Sequence, residues 1–207
     1  MLLLDTGLQE EQRYIYVLLS RTHTVPARLI RMYTKEPYSH ASIALDMELR
    51  ELYSFARKRI HNPFDCGFIE EDIEKGIFGR DKNVYCSVYE VPVTEEQYQH
   101  LKEELDVFIK NREDYRYNYT GLVGVMFGKN VEDGKHFFCS QFVSYVFNKS
   151  GIMLHSKKSG LTRPYDFHIQ LKDRQIYKGK LSEYRTFLKK KRSSLSDYLR
   201  EDYPQAI

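Results

Sequence analysis

The chain has 207 residues, of which 42% are hydrophobic and 29% are charged, and its formal net charge is +3. This composition is typical of a globular protein, and it excludes both an apolar-poor disordered chain and an integral membrane protein. The length predicts a single domain over residues 1–207, and the small net charge gives no indication of a nucleic-acid partner.

The termini and the cysteines bear on where the protein functions. The apolar opening at residues 1–4 is too short for a secretory signal, and no stretch approaches the roughly 20 apolar residues of a transmembrane helix. Three cysteines, Cys66, Cys86 and Cys139, form an odd set without paired spacing. Such a set predicts neither a disulfide framework nor a zinc site. We therefore expect a cytoplasmic protein without a transmembrane segment, a metal or a cofactor.

The first half of the chain predicts strands. Residues 13–20 (RYIYVLLS) have the β-branched and aromatic character of a buried strand. A short helix is expected over residues 24–32, because proline is tolerated in its first turn. Residues 40–45 (HASIAL) and 51–56 (ELYSFA) read as two antiparallel neighbours, and residues 83–93 as a further strand.

The second half combines helices with one further strand. A capping box at Thr94 starts an amphipathic helix that runs to residue 109, with apolar residues every three or four positions. Residues 115–127 are aromatic and glycine-rich, which suits close packing or the border of a pocket. A strand at residues 175–177 and a helix near residues 194–200 complete the pattern. The expected class is α+β.

The chemistry of the chain centres on Cys139. Phe137 and Phe138 lead into this cysteine, and the apolar spacing that follows predicts a buried helix ending at Gly151. A helix N-terminus stabilises a thiolate, and its free amides can receive an oxyanion. A buried structural cysteine would give the same pattern. Catalysis also needs a base, and His40 is the candidate because it begins a strand in which an imidazole has no packing advantage.

Two segments together resemble a known family. Residues 38–45 (YSHASIAL) and 137–147 (FFCSQFVSYVF) resemble the motifs of the circularly permuted papain-like amidases, the YiiX/YaeF-like branch related to the NlpC-type cell-wall peptidases. The histidine precedes the cysteine, which is the permuted order, and the resemblance spans about residues 12–170. It implies a papain-like (permuted NlpC-type) fold with an antiparallel sheet packed against helices that include the cysteine helix. It also implies Cys139 as nucleophile and His40 as base.

The resemblance implies a third polar residue on the strand beside that of the histidine. This strand is ELYSFA, and Ser54 occupies the position at which permuted relatives often carry glutamate. Glu51 is the neighbouring candidate, but it points to the opposite face of a strand. Tyr38 is expected either to donate its hydroxyl to an oxyanion or to pack its ring. Among the other histidines, His136 is the main alternative base.

The function implied is that of a cysteine amidase or peptidase, which cleaves an amide or ester bond through a thioester. The alternatives are an acyltransferase with the same thioester chemistry and a catalytically silent binding module, which Ser54 in place of a carboxylate would favour. Arg28, Arg31 and Arg57 flank His40 in the sequence and are candidates to bind an anionic substrate group, with ordinary surface charge as the alternative. The expected substrate is a small molecule, a peptide or an acyl-lipid.

Overall fold

A computed structural model describes residues 12–21, 36–59, 62 and 65–202 of the chain. The predicted helix at residues 24–32 lies outside these ranges. The strands are β1 (Arg13–Arg21), β2 (His40–Ala44), β3 (Leu52–Arg57), β4 (Cys66–Glu71), β5 (Tyr85–Val93), β6 (Arg116–Tyr117), β7 (His136–Phe137) and β8 (Gln175–Lys180). The described α-helices are α1 (Gly76–Arg80), α2 (Glu95–Lys110), α3 (Tyr119–Met126), α4 (Cys139–Lys149), α5 (Pro164–Leu171) and α6 (Tyr184–Asp202).

Six strands form one antiparallel sheet in the order β4-β3-β2-β1-β5-β8, and β6 and β7 form a short parallel pair. The strand β1 is central, and its register with β2 runs from Tyr16 opposite Ala44 to Ser20 opposite His40. Six consecutive residues of β1 are buried, because helices cover both faces of the sheet. The predicted α+β class is confirmed.

The two faces of the sheet have separate cores. Val17 and Leu19 point into the first core cluster with helices α2 and α4, whereas Leu18 points into the second, which includes Tyr184 of α6. The first cluster has an aromatic centre in which the rings of Phe55, Phe108 and Phe142 lie 5.0 to 6.0 Å apart. Phe142 belongs to α4, so this packing fixes the cysteine helix against the sheet.

The predicted elements are confirmed where local patterns were strong. Helix α2 has both hydrogen bonds of the predicted capping box, between Thr94 and Gln97. The helix expected near residues 194–200 is the end of the longer α6, and the strand expected at residues 175–177 is the first part of β8. Strand β4 (CGFIEE) and helices α1 and α5 were not predicted. The glycine and the two carboxylates of β4 are all depleted in strands.

Candidate active site

Cys139 is the first residue of α4 and is only 2% exposed. The side chain of Gln141 reaches back so that its Oε1 accepts the backbone amide of Phe138 at 3.3 Å. Ser140 donates its hydroxyl to the carbonyl of Thr162 at 2.7 Å. The start of α4 is therefore held at a fixed position, and the first-turn amides beside the thiol have no acceptor within their own helix.

A buried amide network secures this helix start to its neighbour α3. Asn118 caps α3 by accepting the amide of Gly121 at 2.7 Å, and it donates to Gln141 Oε1 at 3.1 Å. Asn118 and Gln141 each donate as well to the carbonyl of Val131, at 3.0 and 3.2 Å. Helices α3 and α4 thus begin side by side, tied to the same loop carbonyl.

His40 is the first residue of β2, and it is 7% exposed. Its Nε2 lies 3.0 Å from Glu71 Oε1 and 3.2 Å from the hydroxyl of Ser42. The ring also interacts with the Cys139 thiol, which contributes to raising the pKa of His40. The ring of Phe78 lies 6.3 Å away and covers the histidine. The structure therefore brings together Cys139 and His40, and it adds the carboxylate of Glu71.

The charge on Glu71 dominates the electrostatics of the histidine. Burial alone would lower the pKa of His40, but the Glu71 carboxylate and the hydrogen bonds with Cys139 and Glu71 outweigh burial and raise the pKa to about 10. The second oxygen of Glu71 accepts the hydroxyl of Ser42. A buried carboxylate needs such partners, and its charge favours the protonated form of the imidazole beside Cys139.

A thiol, an imidazole and a carboxylate thus lie together, and groups of these types can support nucleophilic catalysis. No known family model, curated protein or solved structure matches the chain.

The part of the chain that the structure describes contains no group of three or more His, Cys, Asp or Glu residues that could hold a metal ion. Within the same part, no helix combines the length and the apolar character that crossing a bilayer requires.

The third residue of the site differs from the sequence-based expectation. Ser54 lies in β3 and is fully buried, but its hydroxyl has no hydrogen-bond partner among the described residues. The partner of His40 is Glu71, the last residue of β4 and two strands from β2 in the sheet order. Sequence reasoning missed Glu71 because β4 was not predicted. The available signal was a pair of carboxylates directly after the apolar Phe68 and Ile69.

Tyr38 is buried in the first core cluster, where its hydroxyl shares a 2.7 Å hydrogen bond with Ser87. It also interacts with Tyr89, whose pKa is raised mainly by burial and then by Tyr38. The Tyr89 hydroxyl in turn lies 2.7 Å from Nδ1 of His168. These contacts direct the Tyr38 hydroxyl towards β5, so the structure favours the packing interpretation over the oxyanion donor.

The alternative base, His136, lies on the surface. Its Nδ1 is 2.6 Å from the carboxylate of Asp133, three residues earlier, and both side chains are about half exposed. The hydrogen-bond partner of the His136 ring is therefore Asp133, which belongs to the same loop. The histidine that contacts Cys139 is His40.

Of the three predicted anion-binding arginines, the structure describes Arg57. Arg28 and Arg31 lie outside the described residues. Arg57 ends β3 and lines a cavity of about 730 Å³ that reaches Glu71 and Phe78, but neither Cys139 nor His40 lines that cavity. Arg57 and the Cys139 thiol therefore do not line a common cavity.

Cys139 lines a different and smaller cavity, of about 330 Å³. Its cationic lining residues are already paired: Lys157 lies 2.6 Å from Asp166, and Arg163 lies 2.8 Å from Glu36. The apolar lining residues are Leu122, Val125, Met126, Phe138, Leu161 and Pro164. The thiol therefore opens onto an apolar cavity with neutralised charges at its border.

Proposed function

We propose that this protein is a cysteine hydrolase that cleaves an amide or ester bond through a thioester on Cys139. The observation that supports this most directly is the buried His40, which is hydrogen-bonded to Glu71 and interacts with the thiol of Cys139. The helix N-terminus at the thiol adds amide donors where an oxyanion would form. In this proposal Cys139 is the nucleophile, His40 is the base and acid, and Glu71 is the positioning residue.

Glu71 favours an enzyme over a silent binding module of the same fold. The silent interpretation depended on Ser54 standing where a carboxylate was expected. A buried carboxylate in contact with the imidazole supplies what that position lacked. Keeping a desolvated acid, imidazole and thiol together costs free energy, and catalysis gives this arrangement a purpose that packing does not.

The proposed reaction has two halves. The Cys139 thiolate attacks the carbonyl carbon, and collapse of the tetrahedral intermediate breaks the bond to the leaving amine or alcohol, which takes its proton from the His40 imidazolium. Water then attacks the thioester carbonyl while His40 accepts one of its protons. Breaking the C–S bond releases the acid and returns the thiolate–imidazolium pair.

The finer features of the fold support the same proposal. An antiparallel sheet with the cysteine helix packed on it, and a histidine at the start of a strand, agrees with a papain-like fold in permuted order. None of the three cysteines, all of which are described, forms a disulfide, which fits a reducing compartment such as the cytosol.

The experiment compares the three thiols directly. Iodoacetamide at pH 7 should alkylate Cys139 at least roughly tenfold faster than Cys66 and Cys86, since thiolates react and thiols do not. Burial raises the pKa of Cys66 and raises that of Cys86 to about 12. Mass spectrometry of the intact protein after mixing with p-nitrophenyl acetate should show one acetyl group, located on Cys139.

The controls separate chemistry from accessibility. A folded Cys86→Ser variant should keep its turnover and its acetylation, whereas Cys139→Ala should lose both. A folded His40→Ala variant should lose the fast alkylation of Cys139. Equal alkylation of all three thiols, or acetylation that survives in Cys139→Ala, would contradict the proposal.

A further inference from the structure

Helix α3 has an unusual composition for its position. Its eight residues, YTGLVGVM, include no charged side chain, and the helix lies over the cavity at Cys139. Leu122, Val125 and Met126 line that cavity. On the outside, Val123 is 54% exposed and Phe127, which caps the helix, is 72% exposed. Helices dominated by apolar residues normally belong to a protein core or to a lipid environment.

The outward apolar face is not the result of loose packing. Gly124 approaches the loop so closely that an added Cβ would lie 2.7 Å from the Lys129 carbonyl. A Cβ on Gly121 would likewise meet the buried side chain of Asn118. Helix α3 is therefore pressed onto the loop and onto the cap network, and Val123 and Phe127 remain outside in that fixed arrangement.

The cavity beneath α3 suits an apolar occupant. Its volume of about 330 Å³ is at the lower end of the usual range of ligand sites, roughly 300–1,000 Å³. Because Lys157 and Arg163 have carboxylate partners, neither provides an uncompensated charge for an anionic substrate. Phe138, Leu161 and Pro164 add apolar wall, and the hydroxyls of Ser140 and Thr162, which also line the cavity, are hydrogen-bonded within the protein.

The surroundings of α3 favour a lipid surface as the origin of that occupant. Lys129 follows α3 closely, and Lys158 precedes the short 3₁₀ turn Ser159–Leu161 that carries a cavity residue. Both lysines are exposed. Two interactions contribute to binding at a lipid surface: burial of apolar groups and attraction to anionic headgroups. The exposed apolar side chains of α3 can provide the first, and the nearby lysines can provide the second.

We propose that the substrate is a lipid or lipidated molecule whose aliphatic acyl chain enters the cavity beneath α3. The outward face of α3, through Val123 and Phe127, contacts the lipid surface from which the substrate is drawn. This inference rests on the proposed function, because it assigns the acyl group that Cys139 would receive.

The first test is the chain-length profile of the acyl-enzyme. p-Nitrophenyl esters from acetate to octanoate should acylate Cys139 with a kcat/KM that rises about threefold to fourfold for each added methylene that enters the cavity. Intact mass measures the acyl group on the cysteine. Acylation at equal rates for all chain lengths would overturn this inference while leaving the thioester proposal standing. Absence of acylation with every ester would instead overturn the proposed function.

The second test measures the lipid contact without any turnover. Full-length protein should co-float with vesicles of phosphatidylcholine and phosphatidylglycerol, and Val123→Asp and Phe127→Asp should each reduce the bound fraction severalfold. Val107→Asp is the matched control, because Val107 is 47% exposed on the polar helix α2, and it should bind like the parent protein. Circular dichroism establishes that each variant is folded. Absence of vesicle binding by the parent, or equal losses in all three variants, would overturn the assignment of α3 as a lipid-contacting surface.

Discussion

The contact between Glu71 and His40 makes the sharpest prediction, which is the effect of Glu71→Gln. Glutamine keeps the size of the side chain and one acceptor oxygen, but it removes the negative charge 3.0 Å from Nε2. Because that charge contributes most to raising the pKa of His40, we expect the pKa of His40 to fall in the variant. The imidazolium would then be lost at a lower pH than in the parent protein.

The size of the expected loss in kcat/KM follows from the burial of the Glu71 and His40 side chains. Hydrogen bonds to charged groups contribute about 1.5–3 kcal/mol, and both side chains are less than one tenth exposed, so little screening by solvent applies. A loss of this size in the transition state lowers kcat/KM roughly 10- to 150-fold. Complete removal of a buried partner destabilises a protein by about 3–5 kcal/mol, and retention of an acceptor places Glu71→Gln below that range.

The assay is the pH profile of iodoacetamide alkylation at Cys139, together with kcat/KM for an activated ester. The alkaline limb that reports loss of the imidazolium should move to lower pH in Glu71→Gln. Glu70→Gln is the matched control, because Glu70 is the neighbouring carboxylate and is exposed. A profile in Glu71→Gln that overlays the parent, with unchanged kcat/KM, would refute the role of Glu71.

Three further predictions concern stability. Ser54→Ala should change the free energy of unfolding in urea by less than about 1 kcal/mol and leave turnover intact, because the Ser54 hydroxyl has no partner among the described residues. A large loss of turnover would show that Ser54 belongs to the site. Gln141→Leu should lower that free energy by about 1–3 kcal/mol, because the buried donors of Phe138 and Asn118 lose an acceptor, and an unchanged urea midpoint would contradict the network. Finally, a pKa of His40 raised from 6.5 to about 10 stabilises the fold fully below pH 6.5, and this contribution is lost as the pH rises towards 10. Urea titrations of the parent and of His40→Gln should show a steeper decline in the parent, and parallel declines would contradict the raised pKa.

The parts of the fold that could be predicted from sequence are those with local periodicity. Strand β1 is a continuous apolar run and α2 has a capping box, so both depend on neighbouring residues alone. The position of Cys139 at the start of α4 could be predicted for the same reason. The resemblance to permuted amidases then paired Cys139 with His40, which no periodicity could have done.

The identity of the third residue depended on distant contacts. Glu71 faces His40 only because β4 pairs with β3 in a register that sets Glu71 opposite Leu52. The adjacent Glu70 is exposed, and nothing in the local sequence distinguishes the two carboxylates. Ser54 was chosen because β3 was the only predicted neighbour of β2. The pairing of Lys157 and Arg163 with acids likewise depends on tertiary contacts that spacing alone does not reveal.

The location of Glu71 on β4 has a consequence for how the site could be switched off. Strand β4 is the outermost strand of the six-stranded sheet and has one sheet neighbour, β3. Parts of a fold can open locally at a cost in free energy below that of global unfolding, and a strand with one neighbour can detach without breaking the rest of the sheet. Each such opening would withdraw Glu71 and leave the imidazole without its counter-ion while the central strands stay paired. Hydrogen exchange of the backbone amides of Cys66–Glu71 would then measure the fraction of folded molecules in which β4 is detached. Under the proposed function, a ligand that holds β4 against β3 would raise the activity without contacting the thiol.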